Sequence, residues 1–212
     1  MEKRIEKIFS ILKEEYLNTK GALNFSNPLQ ILIATILSAQ CTDERVNKVT
    51  KNLFKKYRIT EDYAKANIKE LEKDIHSTGF YKNKAKAIKG AATLIIKKYK
   101  GNVPRTMEEL ITLPGVARKT ANIVLGNAYG IVEGIAVDTH VKRLSQRLGL
   151  SKEKDPQKIE NNLMGILPKK QWFETTYLLI EHGRKVCKAP TPICSTCKIS
   201  LYCPRIGVTK SK

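Results

Sequence analysis

Residues Thr106 to Ala128 read TMEELITLPGVARKTANIVLGNA, and the punctuation of that run decides the fold. Thr106, with Glu109 three residues on, has the form of a capping box, the signature of a helix start. Leu113-Pro114-Gly115 then makes a tight stop, after which Ala117, Ala121, Val124, Leu125 and Ala128 resume an apolar face with a helical period. The stretch reads as helix, sharp turn, helix. The same period runs outward in both directions. Ile5, Ile8, Phe9, Leu12 and Tyr16 mark one amphipathic face; Val46, Val49, Leu53 and Phe54 mark another; and Gly79 breaks the chain before Ala85, Ile88, Ala92 and Ile95 begin a third. Asn27-Pro28 is an N-cap followed by proline at the first helical position, opening a run from Leu29 to Ala39 that is apolar around most of its surface and is therefore expected to be central. Asp155-Pro156 and the run Phe173 to Ile180 start and fill two more helices. No stretch alternates with period two for long, so the expected fold is all-α, with about ten helices.

The 212 residues fit one domain or two small ones, and 42% hydrophobic residues supply enough material for a core. The longest near-apolar run is interrupted by Gln30, Thr35 and Ser38 and falls short of the ~20 residues a membrane span needs. The opening MEKRIEKIFS is amphipathic and lacks the uninterrupted apolar core of a secretory signal, so a cytoplasmic location is expected. The formal net charge is +19, and it is uneven. Ile75 to Met107 holds eight Lys or Arg and no acid; His182 to Lys212 holds seven and again no acid. Charge of that kind favours a polyanion, because phosphate neutralisation with counterion release drives sequence-independent nucleic-acid binding. A solvated lysine-rich helix face is the plainer alternative, and an anionic membrane surface a weaker one.

Four of the five cysteines, Cys187, Cys194, Cys197 and Cys203, are spaced C-x6-C-x2-C-x5-C. An odd count in a reducing compartment argues for a metal or cluster over a disulfide framework. Four thiolates within so short a span can surround one soft centre, either a [4Fe-4S] cluster or a tetrahedral zinc ion. Zinc ribbons separate two C-x2-C pairs, and here only one exists. His182 is a possible substitute ligand, though it reads more simply as the end of a helix stopped by Gly183. Cys41 stands apart and reads as a small packing residue.

Taken together, LPGVARKTA at Leu113–Ala121, VDTH at Val137–His140, LSAQ at Leu37–Gln40 and the four cysteines resemble the endonuclease III family of helix-hairpin-helix DNA glycosylases, over essentially the whole chain. The resemblance implies a base-excision repair enzyme that removes oxidised pyrimidines from double-stranded DNA and then cuts the abasic strand. It implies two helical domains, residues 21–132 and residues 1–20 with 133–212, the second holding a [4Fe-4S] cluster, with a DNA-binding groove between them. A monomer is expected.

By the same resemblance Lys119 is the nucleophile and Asp138 the catalytic carboxylate. From its residues alone Asp138, before Thr139-His140-Val141, also reads as a helix N-cap. A neutral lysine amine can attack a sugar carbon and form a Schiff base; desolvation, Arg118 and a helix N-terminus would favour that neutral form, and a nearby carboxylate would oppose it. The hairpin at Gly115, with Ala117 and Arg118, is expected to meet phosphate through backbone amides, although Ala117 stands where a second glycine is common in the family. Gln40 matches the residue that enters the space left by an extruded nucleotide, and Phe80 in Thr78-Gly79-Phe80-Tyr81 stands where a wedge does; core packing is the alternative for Phe80. Lys84 and Lys188 are candidate phosphate contacts, and His76 and His140 are given no chemical role. Rival readings are a mismatch-specific or monofunctional relative, a non-catalytic cluster-bearing nucleic-acid binder, and a small electron carrier.

Overall fold

The computed structural model describes residues 2–17, 19 and 21–212; residues 1, 18 and 20 of the expected cluster domain lie outside the described residues. Among the described residues there are eleven α-helices and no strand. The chain divides into two compact units, Ala22–Glu133 and Met1–Gly21 with Gly134–Lys212.

The Ala22–Glu133 unit is organised by α2 (Pro28–Leu37), which buries every residue from Ile31 to Leu37. Asn27 caps it as the sequence suggests, its side-chain oxygen accepting the Gln30 amide at 2.9 Å. A helix apolar on all sides must be enclosed, and α3 (Asp43–Lys56), α6 (Tyr81–Tyr99) and α8 (Arg118–Val124) lie against it. The short α4 (Thr60–Lys65) and α5 (Ile68–Asp74) pack on α6. Ala85, Ile88, Ala92 and Ile95 are buried on α6, together with Ala91 and, against expectation for a lysine, Lys84.

The punctuated run behaves as read. Thr106 Oγ1 accepts the Glu109 amide and opens α7 (Met107–Leu110), although its hydroxyl donates to the Glu109 carboxylate, so only half of a reciprocal capping box forms. The chain turns through Leu113–Val116 and enters α8. Past Val124 the helix widens into one π-helical turn, Leu125–Tyr129, closed by Gly130 in the left-handed region.

In the second unit α1 (Glu2–Glu15) buries Ile5, Ile8, Phe9 and Leu12 with α9 (Thr139–Arg147), α10 (Pro156–Ile166) and α11 (Trp172–Lys185). Asp155 caps α10, accepting the Gln157 and Lys158 amides at 3.0 Å each. The expected helix stop at Gly183 does not occur: α11 continues to Lys185. Gly183 is there for packing, since a Cβ would come within 2.8 Å of His140 Nδ1 and 3.0 Å of Arg143 Nη2. Among the described residues no helix is long and apolar enough to cross a membrane.

Candidate functional site

The turn before α8 is anchored by buried Leu113 and Val116, which leaves Pro114 and Gly115 exposed between them and Ala117 exposed just after. Gly115 has φ 77°, a region glycine enters without cost. Ala117 is different. It is the N-cap of α8 with φ −94° and ψ 170°, ordinary extended backbone, so alanine is accommodated there without strain. Its methyl offers no capping oxygen, and the first turn of α8 has no side-chain cap. Arg118 and Lys119 occupy that first turn, both half-buried. Uncapped amides and the positive end of a helix make this a place suited to an anion.

Among the described residues of this unit three that are not glycine stand in left-handed backbone: Gln40, Phe80 and Lys100, the last simply closing α6 as its C-cap. Gln40 (φ 52°) comes after α2, and Phe80 (φ 48°) immediately precedes α6. Both are exposed, Phe80 at 62% of its surface, which rules out the core-packing alternative for it. With Lys84 and Gly115 they line one open hollow of about 270 Å³. Lys84 does not point its charge outward, contrary to the expected phosphate contact. It is 5% exposed, and its ammonium donates to the carbonyls of Leu37 and Thr78 at 2.8 Å each. Burial pushes its pKa down, outweighing the opposing influence of Cys41. A larger hollow in the same unit, bordered by Arg58, Lys100, Arg105 and Tyr129 beside the N-terminus of α2, contains none of the expected site residues.

In the second unit Asp138 is the N-cap of α9 and is half-buried; its Oδ1 accepts the Val141 amide at 2.8 Å. One turn apart on α9, Arg143 and Arg147 reach the cysteine loop. Arg143 donates to the carbonyls of Gly183 and Cys187, and Arg147 to those of Cys187, Lys188 and Pro190. Lys188 itself is exposed, its backbone carbonyl held by Arg147. Arg4 of α1 donates to the Leu148 and Tyr202 carbonyls. These three arginines were not legible as functional. Arg143 and Arg147 have the spacing of a solvated helix face, and only the return of a loop 40 residues later gives them partners.

Cys187, Cys194, Cys197 and Cys203 are free thiols that line one chamber with Leu144, Leu148 and Ile199. Polar hydrogens are turned toward two of the sulfurs: Arg147 Nη1 lies 3.4 Å from Cys187 Sγ, and the Arg205 amide 3.4 Å from Cys203 Sγ. Burial raises the pKa of Cys197 to about 11 and that of Cys203 upward as well, so thiolates here need a cationic centre to offset desolvation. Among the described residues no three His, Cys, Asp or Glu side chains are grouped as a single-ion site. The donor set, four soft ligands in an apolar chamber with N–H groups facing sulfur, is the kind of environment in which an iron-sulfur cluster is held and tuned. His182 is buried beside it. Its Nδ1 meets the Tyr16 hydroxyl at 2.9 Å, its Nε2 lies 3.5 Å from Cys197 Sγ, and burial lowers its pKa to about 4. It is thus a neutral, hydrogen-bonded ring.

Comparison with known proteins agrees with this arrangement. The family model described as HhH-GPD superfamily base excision DNA repair protein matches residues 33–169. Endonuclease III of Synechocystis is 53% identical over 201 residues, covering 95% of this chain and 92% of that protein. Among solved structures, a non-covalent endonuclease III–DNA complex superposes with a TM-score of 0.93 at 44% identity, covering 97% of this chain and 96% of the other. A trapped covalent endonuclease III–DNA intermediate, an estranged-adenine complex, matches with the same TM-score, identity and coverage. The hairpin before α8, the capped Asp138 and the four-thiol chamber therefore stand on a chain that belongs to the HhH-GPD superfamily of base excision DNA repair proteins and, within it, to the endonuclease III family.

Proposed function

We propose that the protein is a bifunctional base-excision repair enzyme, a DNA glycosylase and abasic-site lyase that removes oxidised pyrimidines from duplex DNA. The observation that carries the reading is Lys119, half-buried in the first turn of an uncapped helix directly after a phosphate-suited hairpin. A covalent DNA complex trapped in a 44% identical relative supports it.

The reaction uses few groups. The uncharged Nζ of Lys119 attacks C1′ of the extruded nucleotide, and the bond from C1′ to the base breaks with its electron pair leaving on the base. Asp138 takes the proton that the attacking amine sheds and opposes the positive charge developing on the sugar. The sugar ring opens to a Schiff base; loss of a C2′ proton then expels the 3′ phosphate, and water hydrolyses the imine to free the enzyme. Amides of the Gly115–Arg118 turn, Arg118 and Lys188 contact the backbone phosphates. Gln40 and Phe80 enter the gap left in the stack. Residues 21–132 and residues 1–20 with 133–212 are proposed as the functional domains, one carrying Lys119 and the other Asp138, in a cytoplasmic monomer.

Cys187, Cys194, Cys197 and Cys203 are proposed to hold a [4Fe-4S] cluster. The four thiols would hold it between the end of α11 and the C-terminal loop, and Arg143 and Arg147 connect that loop to the helix that Asp138 caps. The test is release of an oxidised pyrimidine from a duplex, measured together with iron content. Wild type is expected to release the base and carry iron. Lys119→Ala is expected to release it about a thousandfold more slowly with its iron unchanged, whereas a non-catalytic binder would release none in either form.

A further inference from the structure

We propose that Lys84 is a positioning residue whose ammonium clamps the Gln40 and Phe80 loops in the conformation that fills the space of an extruded nucleotide. The inference rests on the glycosylase reading above.

Three observations carry it. The first is what the ammonium touches. Leu37 is the last residue of α2, and its carbonyl is among the four a helix end leaves without an intrahelical partner. Thr78 is the last residue of the 3₁₀ turn before Gly79. A single nitrogen bonds both carbonyls at 2.8 Å, joining two segments 41 positions apart in sequence through a residue of a third element, α6. The second is the backbone just beyond those carbonyls. Gln40 comes three residues after Leu37 and Phe80 two after Thr78, and each has a left-handed φ without being glycine. Backbone of that kind persists only where its surroundings over-determine it. The third is burial. A lysine charge is withdrawn from water only when hydrogen bonds compensate it; elsewhere on α6 Lys82, Lys86, Lys97 and Lys98 are exposed and Lys89, donating to the Ala66 carbonyl, is half-buried, so Lys84 is the one lysine of that helix that is fully buried. Clamped in this way, Gln40 and Phe80 border the same hollow beside Gly115. Two exposed side chains are thereby held ready before DNA arrives, so no ordering cost falls at the moment of extrusion.

The inference separates Lys84 from the chemistry, and the experiment uses that separation. Lys84→Met keeps the length of the side chain and removes its donors. It is compared with wild type on a duplex containing an oxidised pyrimidine and on a single strand with an abasic site, whose sugar needs no vacated stack to be reached. The expected result is a loss of about tenfold or more in base release from the duplex and borohydride trapping on the single strand within about twofold of wild type. The same substitution in a Gln40→Ala, Phe80→Ala background is expected to change nothing further, because residues acting through one another are not additive. A loss that persists undiminished in that background, equal losses on both substrates, or no loss would overturn the clamp. If Lys84→Met does not fold by circular dichroism, Lys84→Leu, which also lacks any donor, goes through the same comparison with the same criteria. Absence of any wild-type adduct would overturn the glycosylase reading itself. That result is distinct from an active wild type with an unaffected Lys84→Met, which would overturn the clamp alone.

Discussion

Gly115 lies so close to Ala87 that a Cβ added to the glycine would stand 2.7 Å from the alanine's methyl carbon. The hairpin before α8 is thus pressed against α6 as well as turned through a left-handed residue, and each constraint alone would select glycine.

Gly115→Ala should cost about 1–3 kcal/mol of stability from backbone strain alone, with the contact to Ala87 adding to it. Binding to undamaged duplex should weaken in parallel as the turn shifts. Ala117→Gly, at a position with ordinary backbone, should change stability by less than about 1 kcal/mol. Urea unfolding of the two variants measures the difference. Equal costs would mean that Gly115 is not the conformationally required position.

The Tyr63 hydroxyl is fully buried with no hydrogen-bond partner among the described residues, and burial raises its pKa. Tyr57, stacked on it with ring centroids 5.1 Å apart, is raised to about 12, first by burial and then by its hydrogen bond to Asp74. A phenol with a folded pKa above its unfolded value of about 10 contributes stability below pH 10 that is lost as pH climbs toward 12. Folding free energy should therefore fall across that window by up to about 1.4 kcal/mol per pH unit for each such group. Tyr63→Phe should stabilise the protein by about 1 kcal/mol at neutral pH, since an unpaired buried hydroxyl is removed, and should flatten the alkaline decline. Urea unfolding between pH 7 and about pH 11 checks both; a neutral-pH loss exceeding about 1 kcal/mol would show that the hydroxyl has a partner.

Asp138 is bound by two demands, capping α9 and serving the chemistry. Asparagine caps a helix about as well as aspartate, so Asp138→Asn isolates the second. Stability should stay within about 0.5 kcal/mol of wild type, and lesion-DNA affinity should change little. Turnover should drop by about a hundredfold or more. Single-turnover rates set beside equilibrium binding read the two apart, and equal losses in rate and affinity would remove the carboxylate from the reaction.

What the sequence made legible was local. The Asn27-Pro28 start, the Asp155 cap, the turn at Leu113-Pro114-Gly115 and the Asp138 cap are each written in adjacent residues, because a cap is satisfied by amides within one turn. The four cysteines were legible for the same reason of proximity. What escaped depended on residues far apart in the chain. Lys84 resembled its exposed neighbours on α6 until Leu37 and Thr78 were folded against it. Gly183 looked like a helix stop because its real reason is His140, more than 40 positions earlier. Arg143 and Arg147 carried no signal of their own, because their partners, the Cys187–Pro190 carbonyls, lie about 40 positions further along the chain. A polar side chain whose partners are non-local backbone carbonyls leaves no pattern in the sequence.

The most direct test is borohydride reduction of wild type on abasic duplex DNA, then mass spectrometry of the digested adduct. The expected result is one covalent adduct, on Lys119, that disappears in Lys119→Ala. No adduct, or an adduct that survives the substitution or maps to another amine, would contradict the assignment of Lys119 as nucleophile. Base release that survives in Lys119→Ala would further make the enzyme monofunctional.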